Sequence, residues 1–170
     1  MGVPRKLKVM TVFHNGTAYL GETTSVTLPK LARKFEGYRG GGMDGPTPVD
    51  LGMDGLMELE HNYGGFMREY YRSFGIAEMG GEQLRFVGSF QSDGDGAITK
   101  VEVTMRGRHQ ELDSGENKPG EETEFKVKTA LSYYKLEVDG VVETEIDPVN
   151  MVLITGGVDR MAGHRAVLGV

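Results

Sequence analysis

"EETEFKVKTALSYYKLEV", residues 121–138, is the longest extended run in the chain, and its reading decides the fold. Phe125, Val127, Leu131 and Tyr133 fall on odd positions; Tyr134, Leu136 and Val138 then take over on even ones. Side chains alternate between the two faces of a strand. A strand therefore cannot change its buried face without a bulge or a passage into a second sheet. The run predicts such a bulge or crossing near Tyr133–Tyr134, the device by which one strand turns the corner of a sandwich or barrel. Asp139–Gly140 reads as a turn into "VVETEID" (141–147), a hairpin partner.

Upstream, the same period of two recurs. "ITKVEVTMRGR" (98–108) puts Val101, Val103 and Met105 inside and Lys100, Glu102, Thr104 and Arg106 outside. "LRFVGSF" (84–90) buries Leu84, Phe86 and Phe90, and "SDGDGA" (92–97) between these two runs has the composition of a hairpin turn. "LMELEHNY" (56–63) alternates Met57 and Leu59 with Glu58 and Glu60; "YLGETTSVTL" (19–28) sets Leu20, Val26 and Leu28 on one parity. Two segments break the pattern. "FMREYYRSFG" (66–75) spaces Phe66, Met67, Tyr70, Tyr71 and Phe74 along one helical face, with Gly75 at the cap. "VDRMAGHRAVLG" (158–169) spaces Val158, Met161, Arg165 and Leu168 as a second, weaker helix ending at Gly169. "DSGENKPGEE" (113–122) is a polar loop.

One stretch fits neither period. "YRGGGMDGPTPVDLGM" (38–53) holds five glycines and two prolines, with apolar Met43, Val49, Leu51 and Met53 among them. The glycines supply bends that other residues resist. The pattern predicts a mainly β (α+β) chain with one good helix, a C-terminal helical tail and a long glycine-rich arm. A single domain spans 1–170, with the arm at about 35–54. No repeat of fixed period interrupts it.

Composition narrows the function. The chain has 170 residues, enough for a core without staples, and neither cysteine nor tryptophan. The basic N-terminus has no apolar run behind it and reads as neither signal peptide nor membrane span. The net charge of −6 is unevenly spread. Residues 1–40 carry seven basic and two acidic side chains, whereas residues 111–147 carry four basic and eleven acidic. A basic front and an acidic rear suit head-to-tail self-association as well as pairing within one subunit.

No catalytic pattern emerges. Gly40–Gly41–Gly42 is followed by no Lys and is not a phosphate loop. "DGDG" (93–96) lacks the later ligands of a calcium loop, since Ala97, Ile98 and Thr104 stand at its fifth, sixth and twelfth positions. His14, His61, His109 and His164 are too far apart for any local metal spacing. No G-x-S-x-G is present. The acidic balance argues against sequence-specific nucleic-acid binding. No metal, cofactor or catalytic site is expected.

Motifs in register along the chain point to a family. "PRKLK" (4–8), "SVTLPKL" (25–31), "YRGGGMDG" (38–45), "PVDLGM" (48–53), "MRGR" (105–108), "ELDSGE" (111–116), "GEETEFK" (120–126), "SYYKLEVDG" (132–140), "EIDPVN" (145–150) and "GVDR" (157–160) resemble the major tail tube proteins of contractile-tailed bacteriophages. They resemble the tube proteins of R-type bacteriocins equally, a DNA-free alternative. Residues 54–80 match least. The resemblance implies a fold of two packed antiparallel sheets forming a barrel-like sandwich with one flanking helix and a long hairpin arm, and homohexameric rings stacked into a hollow tube within a contractile sheath, assembled in the host cytoplasm and carried in the virion. The tube is driven into the host envelope and conducts DNA. Its partners would be the sheath, baseplate, tail terminator and tape measure proteins, with double-stranded DNA passing through the lumen without sequence-specific binding and the subunit not inserting in a membrane. On this reading Arg39, Gly40, Gly41, Gly42, Met43, Asp44, Val49, Leu51 and Met53 are the subunit and ring interface. Glu58, Glu60, Glu102, Glu122 and Glu124 are candidates to face the lumen.

Overall fold

The computed structural model describes residues 2–170. The strands are β1 (Arg5–His14), β2 (Thr17–Ala18), β3 (Thr23–Thr27), β4 (Arg33–Tyr38), β5 (Thr47–Met53), β6 (Met57–Tyr63), β7 (Glu82–Ser92), β8 (Ile98–Asp113), β9 (Phe125–Val138), β10 (Val141–Asp147), β11 (Val152–Thr155) and β12 (Val158–Asp159). Helix α1 (Arg68–Arg72) lies between β6 and β7, and α2 (Ala162–Leu168) ends the chain. All strand pairing is antiparallel.

The main sheet runs β12-β11-β10-β9-β8-β7-β1-β2 and branches at β9, where β6 and then β3 attach. The branch occurs because β9 changes partner midway. Along one edge it follows β8 for its whole length. Along the other, Phe125–Leu131 pair with β6, and Tyr134–Val138 pair with β10. The bulge sits at Ser132, one residue before the expected junction: Arg106 faces Tyr133, while the next residue, Gly107, faces Leu131. Tyr133 consequently turns outward, its ring 4.0 Å beneath the Arg106 guanidinium, and Tyr134 turns in. Glycine at 107 is required, because a Cβ there would lie 2.0 Å from the Ala130 carbonyl oxygen.

The barrel does not close; the two halves of the branched sheet enclose one core. Val12 of β1, Leu59 and Tyr63 of β6, Leu84 and Phe86 of β7, Val103 and Met105 of β8, Phe125, Val127 and Tyr134 of β9, and Ile146 of β10 form a single buried cluster. β6 shows the alternation plainly, with Met57, Leu59, His61 and Tyr63 buried and the residues between them facing out.

Three local expectations are corrected. Helix α1 spans only five residues, so it buries Met67 beside it and Tyr70 but cannot bring Phe66, Tyr71 and Phe74 onto the same face; these three stay exposed. The second helix starts at Ala162, because Val158–Asp159 pair with Ile154–Thr155 as a strand. Its end at Gly169, in the left-handed region with φ 75°, is as expected. Leu20 points to solvent, since a turn at Tyr19–Gly21 separates β2 from β3 and Tyr19 takes the interior place. Val26 and Leu28 do pack on the core.

Candidate functional site

The arm is a two-stranded sheet, β4 with β5, that shares no ladder with the main sheet. Tyr38 faces Thr47, Glu36 faces Val49, and Arg33 faces Met53; Gly52, at φ 108°, lies in the bulge that absorbs an extra residue of β5. All of β4 is exposed. Phe35, Tyr38, Val49 and Leu51 stand in solvent at 59%, 60%, 41% and 52% exposure, an apolar set outside the core cluster.

At the tip the chain folds back on itself. Arg39 Nε donates to the Met43 carbonyl at 3.2 Å, and the Gly40 N–H donates to Met43 Sδ at 3.1 Å. Gly42 adopts a positive φ of 86° that a side chain would strain, while Gly41 and Asp44 are exposed. At the base, Arg33 donates to Asp50 at 2.6 Å, and the Asp54 N–H closes onto the Ala32 carbonyl at 2.8 Å. The Arg33 hydrogen bond, helped by the Gly52 N–H, holds the Asp50 carboxyl below the usual range. Met53 packs against the core, so it anchors the arm to the body rather than reaching outward with Val49 and Leu51. A cavity of about 420 Å³ lies under this base, between Leu31 and Met53 on one side and Ile146, Leu153 and Arg160 on the other.

The glutamates fall in two places. Glu58 and Glu60 point outward from β6, beside Lys128 of β9, whose ammonium lies 3.2 Å from Glu58. Glu60, Lys128 and Glu111 form one cross-strand row, and Asn62, Lys126 and Asp113 form the next. Glu124 lines the same groove. Five carboxylates thus meet two ammonium groups on this face, counting Glu58 with Glu60, Glu111, Asp113 and Glu124. Glu122 and Glu124 lie in the loop before β9, not on a strand as expected. Glu102 belongs to the other half, held by Arg85 at 3.1 Å and Lys100 at 3.3 Å. It lies nine positions before Glu111 on β8, about 30 Å along an extended strand.

Three of the four histidines converge in the core, a meeting in space that their spacing in the chain does not predict. His14 ends β1, Glu82 opens β7, and His109 lies on β8; the pairing of these adjacent strands brings the side chains together. Their ligand-type atoms all lie within 4.8 Å of one another. Burial works to raise the Glu82 carboxyl, but the polar side chains around it, Ser73, His14 and His109, leave it below its usual value. Burial pushes the His109 imidazole down to about 4. The network continues through Thr129 to His61, Tyr63 and Tyr70. Burial raises both tyrosine hydroxyls.

Comparison with known proteins gives a consistent result. Residues 4–169 match the family model described as phage tail tube protein FII. The chain is 47% identical over 175 residues to the tail tube protein of Escherichia phage P2, covering 100% of both. It is 41% identical over 153 residues to the major tail tube protein of Serratia phage KSP20, covering 89% of this chain and 88% of that one. Among solved structures, it superposes with a TM-score of 0.59 on a chain of the sheath/tube terminator of an extracellular contractile injection system. That match covers 79% of this chain and 96% of the other at 10% identity. A chain of the sheath–tube complex of such a system gives the same TM-score and identity, covering 79% and 91%. At that identity the likeness is one of fold alone.

Proposed function

The chain belongs to the phage tail tube protein FII family, and on that premise we propose how its subunits build the tube. It is a structural subunit of a contractile phage tail tube and part of the virion. Six copies close into a ring by edge and face contacts, and rings stack into a hollow tube within the sheath, between the baseplate and the terminator. Closed rotation makes the ring, and the head-to-tail contact that does not close makes the filament. Assembly takes place in the host cytoplasm, around a tape measure protein later replaced by double-stranded DNA.

The arm is the stacking device. Its exposed Phe35, Tyr38, Val49 and Leu51 grip the adjacent ring, and Arg39–Asp44 form the tip that seats there. The observation that supports this is an extended hairpin bearing four exposed large apolar side chains, joined to its own subunit only at the base. Burying such a patch in a partner is the usual reason to carry it. The acidic face around Glu58, Glu60 and Glu124 lines the lumen, where carboxylates repel phosphate and let DNA slide. Glu102, about 30 Å away along β8 and already paired with Arg85 and Lys100, is left out of that lining. The sheath contacts the opposite side. Assembly of this kind uses no catalysis, and its phage relatives favour DNA conduction over the bacteriocin reading.

The test is deletion of residues 41–47 followed by negative-stain electron microscopy and circular dichroism. The shortened subunit is expected to keep its β spectrum and form no tubes. Tubes of normal length from that variant would remove the arm from the stacking contact.

A further inference from the structure

We propose that His14, Glu82 and His109 form a zinc-binding site inside the subunit. The three residues are buried, at 5%, 1% and 7% exposure, on three adjacent strands of the main sheet. His14 Nε2, His109 Nε2 and a Glu82 carboxylate oxygen converge within 4.8 Å. A carboxylate buried this deeply is costly unless a positive charge or several donors attend it.

His109 supplies an independent observation. Its Nδ1 is engaged with Thr129 Oγ1 at 3.0 Å, which leaves Nε2 buried with no hydrogen-bond partner. That orphaned nitrogen is aimed at Glu82, 3.5 Å from its carboxylate oxygen. Two ligands held about 2.0–2.1 Å from a tetrahedral ion stand about 3.3 Å apart, so this spacing suits a shared metal. His14 Nε2 and Glu82 are in direct hydrogen-bond contact. The ion takes the place of the hydrogen between them, and the pair separates to admit it.

The surroundings hold the ligands in place. Thr129 Oγ1, which fixes His109, is itself 3.0 Å from His61 Nε2, and His61 Nδ1 is 2.7 Å from the Tyr63 hydroxyl. Asn15 Nδ2 donates to Glu82 at 3.2 Å. Outer partners of this kind set the tautomer and orientation of a ligating imidazole. Two imidazole nitrogens and one carboxylate, with no thiolate, suit Zn²⁺ with water as its fourth ligand.

A site this enclosed fills as the chain folds. The full chain is therefore unfolded in guanidinium and refolded once with EDTA and once with zinc chloride, then dialysed. The zinc-refolded protein is expected to retain close to one zinc per chain and to melt several degrees above the EDTA-refolded protein. His109→Gln should lose both the bound zinc and the rise in Tm. Refolding with Co²⁺ gives a second readout on the unaltered chain, the visible absorption of a tetrahedral nitrogen- and oxygen-ligated ion. No retained zinc and equal Tm in both preparations would overturn the proposal, as would equal zinc in His109→Gln. A cobalt spectrum of six-coordinate, water-like form would do the same, leaving the cluster a hydrogen-bonded polar core.

Discussion

His61 is fully buried, and its imidazole sits well below its usual range. Burial is the main cause, with His109 and His14 adding repulsion; Tyr63 and Tyr70 face it as well. The sign follows from linkage. The unfolded chain takes a proton on His61 near pH 6.5, whereas the folded chain refuses it until much lower pH. Stability is therefore intact above about pH 6.5 and lost as pH falls below it, by up to about 1.4 kcal/mol per pH unit from this group. Urea unfolding at pH 7, 6 and 5 in EDTA should show that slope, and His61→Gln should lower the starting stability and remove this group's share of the slope, with the share of His109 remaining. An unchanged slope in the variant would assign it to another group. None of this was legible in the sequence. His14, His61 and His109 are 47 and 48 residues apart, and only the pairing of β1 with β7, β7 with β8, and β6 and β8 with β9 brings them together. Phe35 and Tyr38 escaped for a related reason: an aromatic on a strand reads as core until the strand proves to have no sheet behind it.

At the scale of elements, the parity switch in β9 was the most informative signal and the most exposed to error. Deleting Ser132 removes the bulge while leaving every other residue in place. The chain then alternates without interruption through Leu131, Tyr133 and Tyr134, so Leu131, Tyr134 and Leu136 keep their inward face and β9 loses only its local bend. Circular dichroism and solubility of that deletion should report a folded chain that melts below the parent, because the twist of the bulge is lost while the buried faces are kept. An unfolded or aggregated product would mean that the bend at Ser132, and not the parity alone, is what lets β9 serve both β6 and β10. Strands were legible because alternation survives in β6, β7, β8 and β9, where one face is buried and one is wet. Helices were read too long. Phe66 and Phe74 carry the right spacing, but Met67 has φ −117° and ψ 88°, outside the helical region, and the helix stops at Arg72. The arm was legible from its glycines and prolines, whereas the role of Met53 as its anchor depends on contacts with the body that no local pattern carries.

At the scale of the whole molecule, the acidic groove on β6, β8 and β9 is a property of the assembled face. Changing Glu58, Glu60 and Glu124 together to lysine should leave tube assembly intact and slow DNA ejection, measured by the rate of genome release in vitro. The same change at Glu102 should leave ejection unaffected. Equal slowing from both would place the lumen on a different face. The shared strand β9 has one more consequence, in the timing of synthesis. β4 and β5 pair within some twenty residues of chain and need nothing downstream. β6 pairs with β3 upstream but joins the main sheet only through β9, which ends 85 residues after β5. At about 5–20 residues per second, that is roughly 4 to 17 s of translation. The ribosome thus displays the arm, with its bare apolar side chains, before there is a body to carry it. For those seconds each nascent chain is all handle and no subunit.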